Sequence, residues 1–328
     1  MQNVLFVEGR DGVHLPVLDV THPAFSASVT EQEMGAMERQ YLDEASRFQE
    51  MPAAMREVLR QSALGSALMA SAGTFLAGMP TYLLKLGPES LGPDATAIDQ
   101  RIAASFPAVC ARLRLRDMAE LMAEGIAAAA LEQLRPMCFV NIGGGTAADS
   151  WNALILLRTR YPQLLEGRKI ALGILDPDTE GPAFGARAIE ALGGSDGALN
   201  GLDVKVRHFA ESWAETDKIA EAMKTLRAAD ALCAVSSEGA LFEYGSDDEI
   251  VEALKVLHKE TAGDAIVVGS VTREGECTSA SQGAVRAAMR PRTMEIFAGL
   301  AEQGGWRVQK VIERPFTYHV LMMKASLS

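Results

Sequence analysis

The segment Phe139-Val-Asn-Ile-Gly-Gly-Gly-Thr-Ala-Ala-Asp149 runs an apolar strand straight into three glycines and then into a helix. Lacking a Cβ, the glycines let the backbone turn sharply, and a ligand can lie against the main chain beside the free N–H groups of the following helix. A second apolar run, Lys169-Ile-Ala-Leu-Gly-Ile-Leu-Asp176, ends in a carboxylate where a ribose needs an acceptor for its two hydroxyls. Asp176 follows Gly143 by 33 residues (176 − 143), against roughly 20 in a dinucleotide fingerprint. A long helix and the loop Tyr161–Arg168 account for the excess, and the spacing counts against a nicotinamide cofactor.

A third chemical stretch is Ser236-Ser-Glu-Gly-Ala-Leu-Phe-Glu-Tyr-Gly245. No Gly-x-Ser-x-Gly surrounds Ser236 or Ser237, so the pair is not a nucleophile elbow. Glu238, Glu243 and Tyr244 are groups able to take a proton from an oxygen or nitrogen acceptor; each competes with a structural role in capping or loop packing. Asp176, Asp178 and Glu180 stand close together, as hard cations require. Acids at a helix N-terminus explain the last two without an ion, and no metal is expected. His14, His22 and His319 show no ligand spacing.

These groups need elements to hold them. Val4–Glu8 and His14–Val20 flank Arg10-Asp-Gly12, a hairpin signal. Thr30-Glu-Gln-Glu33 has capping-box spacing, and Met34, Met37, Tyr41 and Phe48 carry a helical period to about Met51. From there to Leu134 the chain is rich in Ala, Leu and Met with Pro and Gly punctuation, so 1–135 is expected to be a mainly helical region opened by a short hairpin. Residues 63–79 are too short to span a bilayer and suggest a buried core helix. Beyond Pro136 short apolar runs alternate with amphipathic stretches. Strands are expected at 138–142, 169–176, 202–208, 231–236 and 264–271, with helices at about 149–161, 182–193, 214–228 and 247–261. A polar segment at 272–283 and a helix at about 291–303 precede two last strands, Trp306–Ile312 and Tyr318–Lys324. The five residues between those two are too few for a crossover, which makes the pair antiparallel.

With 328 residues and 48% hydrophobic content the chain can build one or two cores. Its net charge of −12 repels phosphate backbones and anionic lipid, which excludes nucleic acid and membrane partners as expectations. The four cysteines form no Cys-x-x-Cys pair, consistent with a reducing cytoplasm and no structural zinc.

In this order of motifs, residues 136–325 resemble the class I S-adenosylmethionine-dependent methyltransferases, whose sheet has seven strands with the last antiparallel. The carriers are the loop Asn141–Ala147, the acid Asp176, Glu211-Ser212 after the third strand, Ser236-Ser-Glu238 after the fourth, the Gly-Asp break before the fifth and the closing hairpin. The resemblance implies an α/β fold, a Rossmann-like doubly wound, mostly parallel sheet. It places Asn141, Gly143, Gly144, Gly145 and Thr146 against the methionine part and ribose of the cofactor. It puts Asp176 and Pro177 at the ribose hydroxyls, Ala210, Glu211 and Ser212 at the adenine, and Ser236 and Ser237 beside the cofactor. Two positions depart from the family: the usual acid opening the loop is Asn141, which lacks a charge for the methionine ammonium, and the third glycine is Ala147. Trp213 either stacks on adenine or starts the packing of the next helix. His208, sharing a face with Val204 and Val206, reads as a packed histidine before a base.

The expected activity is methyl transfer to an oxygen or nitrogen of a small molecule, with 136–328 binding the cofactor and 1–135 covering it. Alternatives are an aminopropyltransferase of the same fold, against which stands the missing Asp-rich run after the fourth strand, a non-catalytic cofactor-binding protein, and a dehydrogenase. The Ala/Met-rich helical faces suit the region's own core, an apolar substrate or a homodimer.

Overall fold

Alternation of short buried strands with crossover helices after Met137 builds one seven-stranded sheet. The computed structural model describes residues 3–9, 12–25, 27–47, 52–129, 135–285 and 288–325. Its strands are β1 (Phe6–Glu8), β2 (His14–Pro16), β3 (Met137–Ile142), β4 (Lys169–Leu175), β5 (Asp203–Phe209), β6 (Leu232–Ser237), β7 (Ile266–Thr272), β8 (Trp306–Glu313) and β9 (Thr317–Lys324). The large sheet runs β5-β4-β3-β6-β7-β9-β8. Pairings from β5 to β7 are parallel, and β9 is antiparallel to both neighbours. This is α/β, Rossmann-like and doubly wound, with the antiparallel close that the methyltransferase resemblance implies. The order reverses at β3, so the ends of β4, β3 and β6 flank the crevice where ligands enter such sheets.

Alternating residues of β3 feed two cores. Met137 and Phe139 join one apolar cluster, while Cys138, Val140 and Ile142 join the other, as a period of two dictates. The second cluster is closed by helices α9 (Thr216–Thr225), α11 (Asp247–Glu260) and α13 (Met294–Gln303). Helices α7 (Ala148–Arg160) and α8 (Glu180–Gly193) lie on the first.

The N-terminal region contributes α1 (Glu31–Ser46), α2 (Ala53–Leu59), α3 (Ala63–Ala70), α4 (Gly78–Leu86), α5 (Ala97–Ala103) and α6 (Phe106–Ala129). Thr30 and Glu33 close the capping box of α1. Leu64, Tyr82 and Leu115 from this region share one apolar cluster with Trp151 and Phe184, so the change of rhythm near 135 is not a gap in the core. The segment after β2 is tied onto α7: Trp151 Nε1 donates to the Leu18 carbonyl at 2.8 Å, and the Val20 N–H to Asn152 Oδ1 at 2.8 Å.

Two expectations need correction. Residues 63–79 do not form one helix: α3 ends at Ala70, Gly73 turns with φ +77°, and α4 starts at Gly78. The polar segment 272–283 carries a helix, α12 (Glu276–Val285), which packs on α1 through Cys277. A short helix, α10 (Leu241–Tyr244), follows β6. Arg10 and Asp11 of the hairpin turn, Phe48 and Met51 at the expected end of the first helix, and Leu134 lie outside the described residues.

Candidate functional site

The glycine turn is a junction of three backbones. Gly143 and Gly145 have φ of +62° and +51°, which strains any residue with a Cβ. A Cβ on Gly145 would sit 2.9 Å from the Cα of Gly78 at the start of α4, and one on Gly181 in α8 would sit 3.0 Å from the Gly145 carbonyl carbon. Helices α4 and α8 thus press on the turn at backbone distance. The residue in place of the family's third glycine, Ala147, is itself left-handed, with φ 60°.

Around this junction lies a cleft, open to solvent, at the carboxyl ends of β3, β4 and β6. Gly143, Gly144, Gly145 and Thr146 line it, as do Asp176, Pro177 and Asp178, and Glu238, Gly239 and Ala240. Trp213 forms a further wall. The remaining wall comes from the N-terminal region, through Phe75, Leu76, Ala77, Gly78, Thr81 and Lys85. At the rim Phe75, 42% exposed, tilts against Trp213 at 5.8 Å between ring centroids and meets the Tyr244 ring edge at 6.2 Å.

Asp176 is buried and, among the described residues, takes backbone donors alone on its carboxylate. Oδ2 accepts the Gly145 N–H at 2.8 Å and Oδ1 the Asp178 N–H at 2.8 Å. Each oxygen retains a second acceptor direction. Burial is the largest influence and raises its pKa above the ordinary aspartate range. The Asp176 carbonyl bonds His208 Nε2 at 2.7 Å, so that histidine is engaged in packing the β4–β5 edge. Asp178 takes the Glu180 and Gly181 N–H groups at 3.1 and 3.3 Å and so caps α8.

Glu238 is equally buried in a different company. One oxygen pairs with Lys85 of α4 and the other takes Arg114 Nε of α6 at 2.7 Å. Burial pushes its pKa up, but the charges of Lys85 and Arg114 outweigh this and hold it at about 2. A carboxylate that acidic is a weak base. Glu243 receives Arg114 Nη1 at 3.2 Å and the Ser270 hydroxyl at 2.5 Å, and does not line the cleft. Burial, then the Glu243 charge, raises the Tyr244 phenol further from neutrality. Arg114 is aimed by α6, whose Asp117, one turn on, binds Arg314 Nε at 2.7 Å and His319 Nδ1 at 3.1 Å and so anchors the helix to β9.

Behind the turn lies a buried polar network. Asn141 Nδ2 donates to Asp149 Oδ1 at 2.7 Å, the Ser150 hydroxyl to Asn141 Oδ1 at 2.8 Å, and the Ser236 hydroxyl to Asp149 Oδ2. Burial, then the Glu238 charge, pushes Asp149 up to about 6. Ser237 donates to the Ile142 carbonyl at 3.3 Å and accepts the Leu241 N–H at 3.0 Å.

Of the residues expected from sequence, Gly143, Gly144, Gly145, Thr146, Asp176, Pro177 and Glu238 come together in the cleft. Asn141, Ser236 and Ser237 are at most 1% exposed and face inward to the network and strand ends, not the cleft. Ala210, Glu211 and Ser212 are also outside its lining; Glu211 stands 4.0 Å from Lys218 and Ser212 accepts the Ala214 N–H. The loop after β5 instead offers Trp213. Sequence reasoning missed the wall from 75–85. Its signal was Lys85, a lone charge in the otherwise uncharged run Gly78–Leu86.

No protein-family model matches the chain and no curated protein does. Among solved structures, a possible exported protein from Bordetella parapertussis matches with a TM-score of 0.58 at 16% identity, over 93% of this chain and 99% of that one, a likeness of fold. A Burkholderia thailandensis 1,6-didemethyltoxoflavin-N1-methyltransferase, with bound 1,6-didemethyltoxoflavin and S-adenosylhomocysteine, matches with a TM-score of 0.42 at 14% identity, over 65% of this chain and 79% of that one. Mitomycin 7-O-methyltransferase matches with a TM-score of 0.42 at 14% identity, over 98% and 80%. At such distances the site must be argued from its own residues. Among the described residues no helix is long and apolar enough to cross a membrane.

Proposed function

We propose that the cleft binds S-adenosylmethionine and that the protein transfers its methyl group to an oxygen or nitrogen of a small molecule. One observation carries this reading: the glycine turn, the Asp176 carboxylate and the Glu238 carboxylate line a single cleft at the switch point of the sheet. The donor set suits an adenosyl group. Asp176 has acceptor directions left for two hydroxyls, and Trp213 and Phe75 offer ring faces to a purine.

When bound, S-adenosylmethionine supplies an already electrophilic methyl group. The chain's own work is then alignment and exclusion of water. Gly143 to Thr146 form the floor, and residues 75–85 of the N-terminal region close the opposite wall. Glu238 is too acidic to serve as a strong base, so the reading favours acceptors that are nucleophilic without full deprotonation.

Titration calorimetry with S-adenosylhomocysteine and NAD tests this reading. Binding of the former alone supports it, and binding of NAD alone ends it. Tight binding with no transfer across a wide acceptor panel would favour the non-catalytic alternative.

A further inference from the structure

The cofactor reading leaves one question that the structure addresses: what meets the amino acid end of the ligand once Asn141 has replaced the usual acid. The Asn141 side chain is turned into the network of Asp149 and Ser150 and offers the cleft nothing. Three carboxylates line the cleft. Asp176 and Asp178, at the β4 end, are held by backbone N–H groups. Glu238 follows β6, on the other side of β3. Two strand spacings put it about 10 Å across the glycine turn from the Asp176 side, so a ligand with its ribose at Asp176 extends toward Glu238.

There a cation waits as well. Lys85 and Glu238 have side chains only 5% and 8% exposed, and both line the cleft. A buried ion pair gains little over apolar packing of the same volume, so stability alone does not explain a lysine in the apolar face of α4. Its ammonium has three donors, and the one bond described for it goes to Glu238. Glu238 in turn keeps Arg114 on its other oxygen.

We infer that Lys85 and Glu238 receive, respectively, the α-carboxylate and the α-ammonium of the ligand's amino acid end, and that this makes the cleft selective for a zwitterionic ligand. The inference rests on the cofactor reading. On binding, Lys85 exchanges one carboxylate for another and Glu238 one ammonium for another, so no uncompensated charge is left in the buried site. A decarboxylated sulfonium, the donor for aminopropyl transfer, has nothing to offer Lys85, which separates the two transferase alternatives by a single side chain.

The experiment is calorimetry on the 328-residue protein with S-adenosylhomocysteine, its decarboxylated analogue and 5′-methylthioadenosine, which has no amino acid end. Wild type is expected to prefer S-adenosylhomocysteine over the decarboxylated analogue by about tenfold or more, as a charge-assisted contact gives. Lys85→Met should abolish that preference and leave methylthioadenosine affinity within about twofold. A preference that survives in Lys85→Met overturns the inference while the cofactor reading stands. Wild type that binds none of the three overturns both. Should Lys85→Met not fold, Glu238→Gln reads the other half: the decarboxylated analogue, which keeps its ammonium, should weaken about tenfold relative to methylthioadenosine, and an unchanged ratio overturns the inference.

Discussion

Asp176 and Glu238 sit at the two ends of one cleft, both buried, yet their protons respond in opposite directions. Asp176 faces two backbone N–H groups and, among the described residues, pairs with no cation, so burial dominates and its pKa rises. Glu238 faces Lys85 and Arg114, and charge overrides burial. Depth alone does not set a carboxylate's character. Partial charges on amides leave room for neutral hydroxyl donors, whereas full charges demand full charges in return.

The largest test of that contrast is Glu238→Ala. It leaves Lys85 buried without its partner and should cost about 3–5 kcal/mol of stability in urea unfolding. Asp176→Ala strands only two N–H groups and should cost less; equal costs would collapse the distinction. Gly145→Ala combines left-handed strain with a clash against the Gly78 backbone, and about 3 kcal/mol is expected from the two together. A near-neutral result would mean that α4 does not hold the turn. Next, Asp176→Ala should weaken S-adenosylhomocysteine binding by about 1–3 kcal/mol, read by calorimetry, and an unchanged dissociation constant would move the ribose elsewhere.

The pH dependence sharpens the comparison further. Glu238, lowered from 4.5 to about 2, contributes stability that is complete above pH 4.5 and is lost as pH falls toward 2. Asp149, raised from 3.8 to about 6, does the reverse: its contribution is complete below pH 3.8 and gone above 6. Asp149→Asn should therefore abolish the decline of stability between pH 4 and 6 while keeping the acid-side loss, as unfolding at a series of pH values would show. The smallest effect is expected from Ala147→Gly, within about 1 kcal/mol, because relief of the left-handed backbone is offset by the loss of a buried methyl.

Much of the sheet was legible because its central strands β3, β6 and β7 are buried on both faces and read as apolar runs between turn residues, with Asp176 and the glycines marking the crevice. The N-terminal wall was not. Residues 71–77, Ser-Ala-Gly-Thr-Phe-Leu-Ala, carry no proline or charge to mark a break, which rests on the turn at Gly73 and on contacts with residues far along the chain. Helix α12 was hidden for the opposite reason, since Ser, Thr and Gly are poor helix formers and packing of Cys277 with Met34 and Tyr41 of α1 supplies what propensity does not. Ser236 and Ser237 close a strand at the switch point, which is what marks them in the sequence; their buried hydroxyls donate to the Asp149 carboxylate and to the Ile142 carbonyl.

The meeting of Gly78, Gly145 and Gly181 has a mechanical meaning. Where two helices and a turn touch through main-chain atoms, no rotamer change can widen the gap, and only a shift of α4 as a rod would part them. The dipeptide Met79-Pro80 at its first turn and the bend around Gly73 behind it make that rod short and its pivot local. Opening of that junction is thereby tied to displacement of a segment that belongs to the N-terminal region.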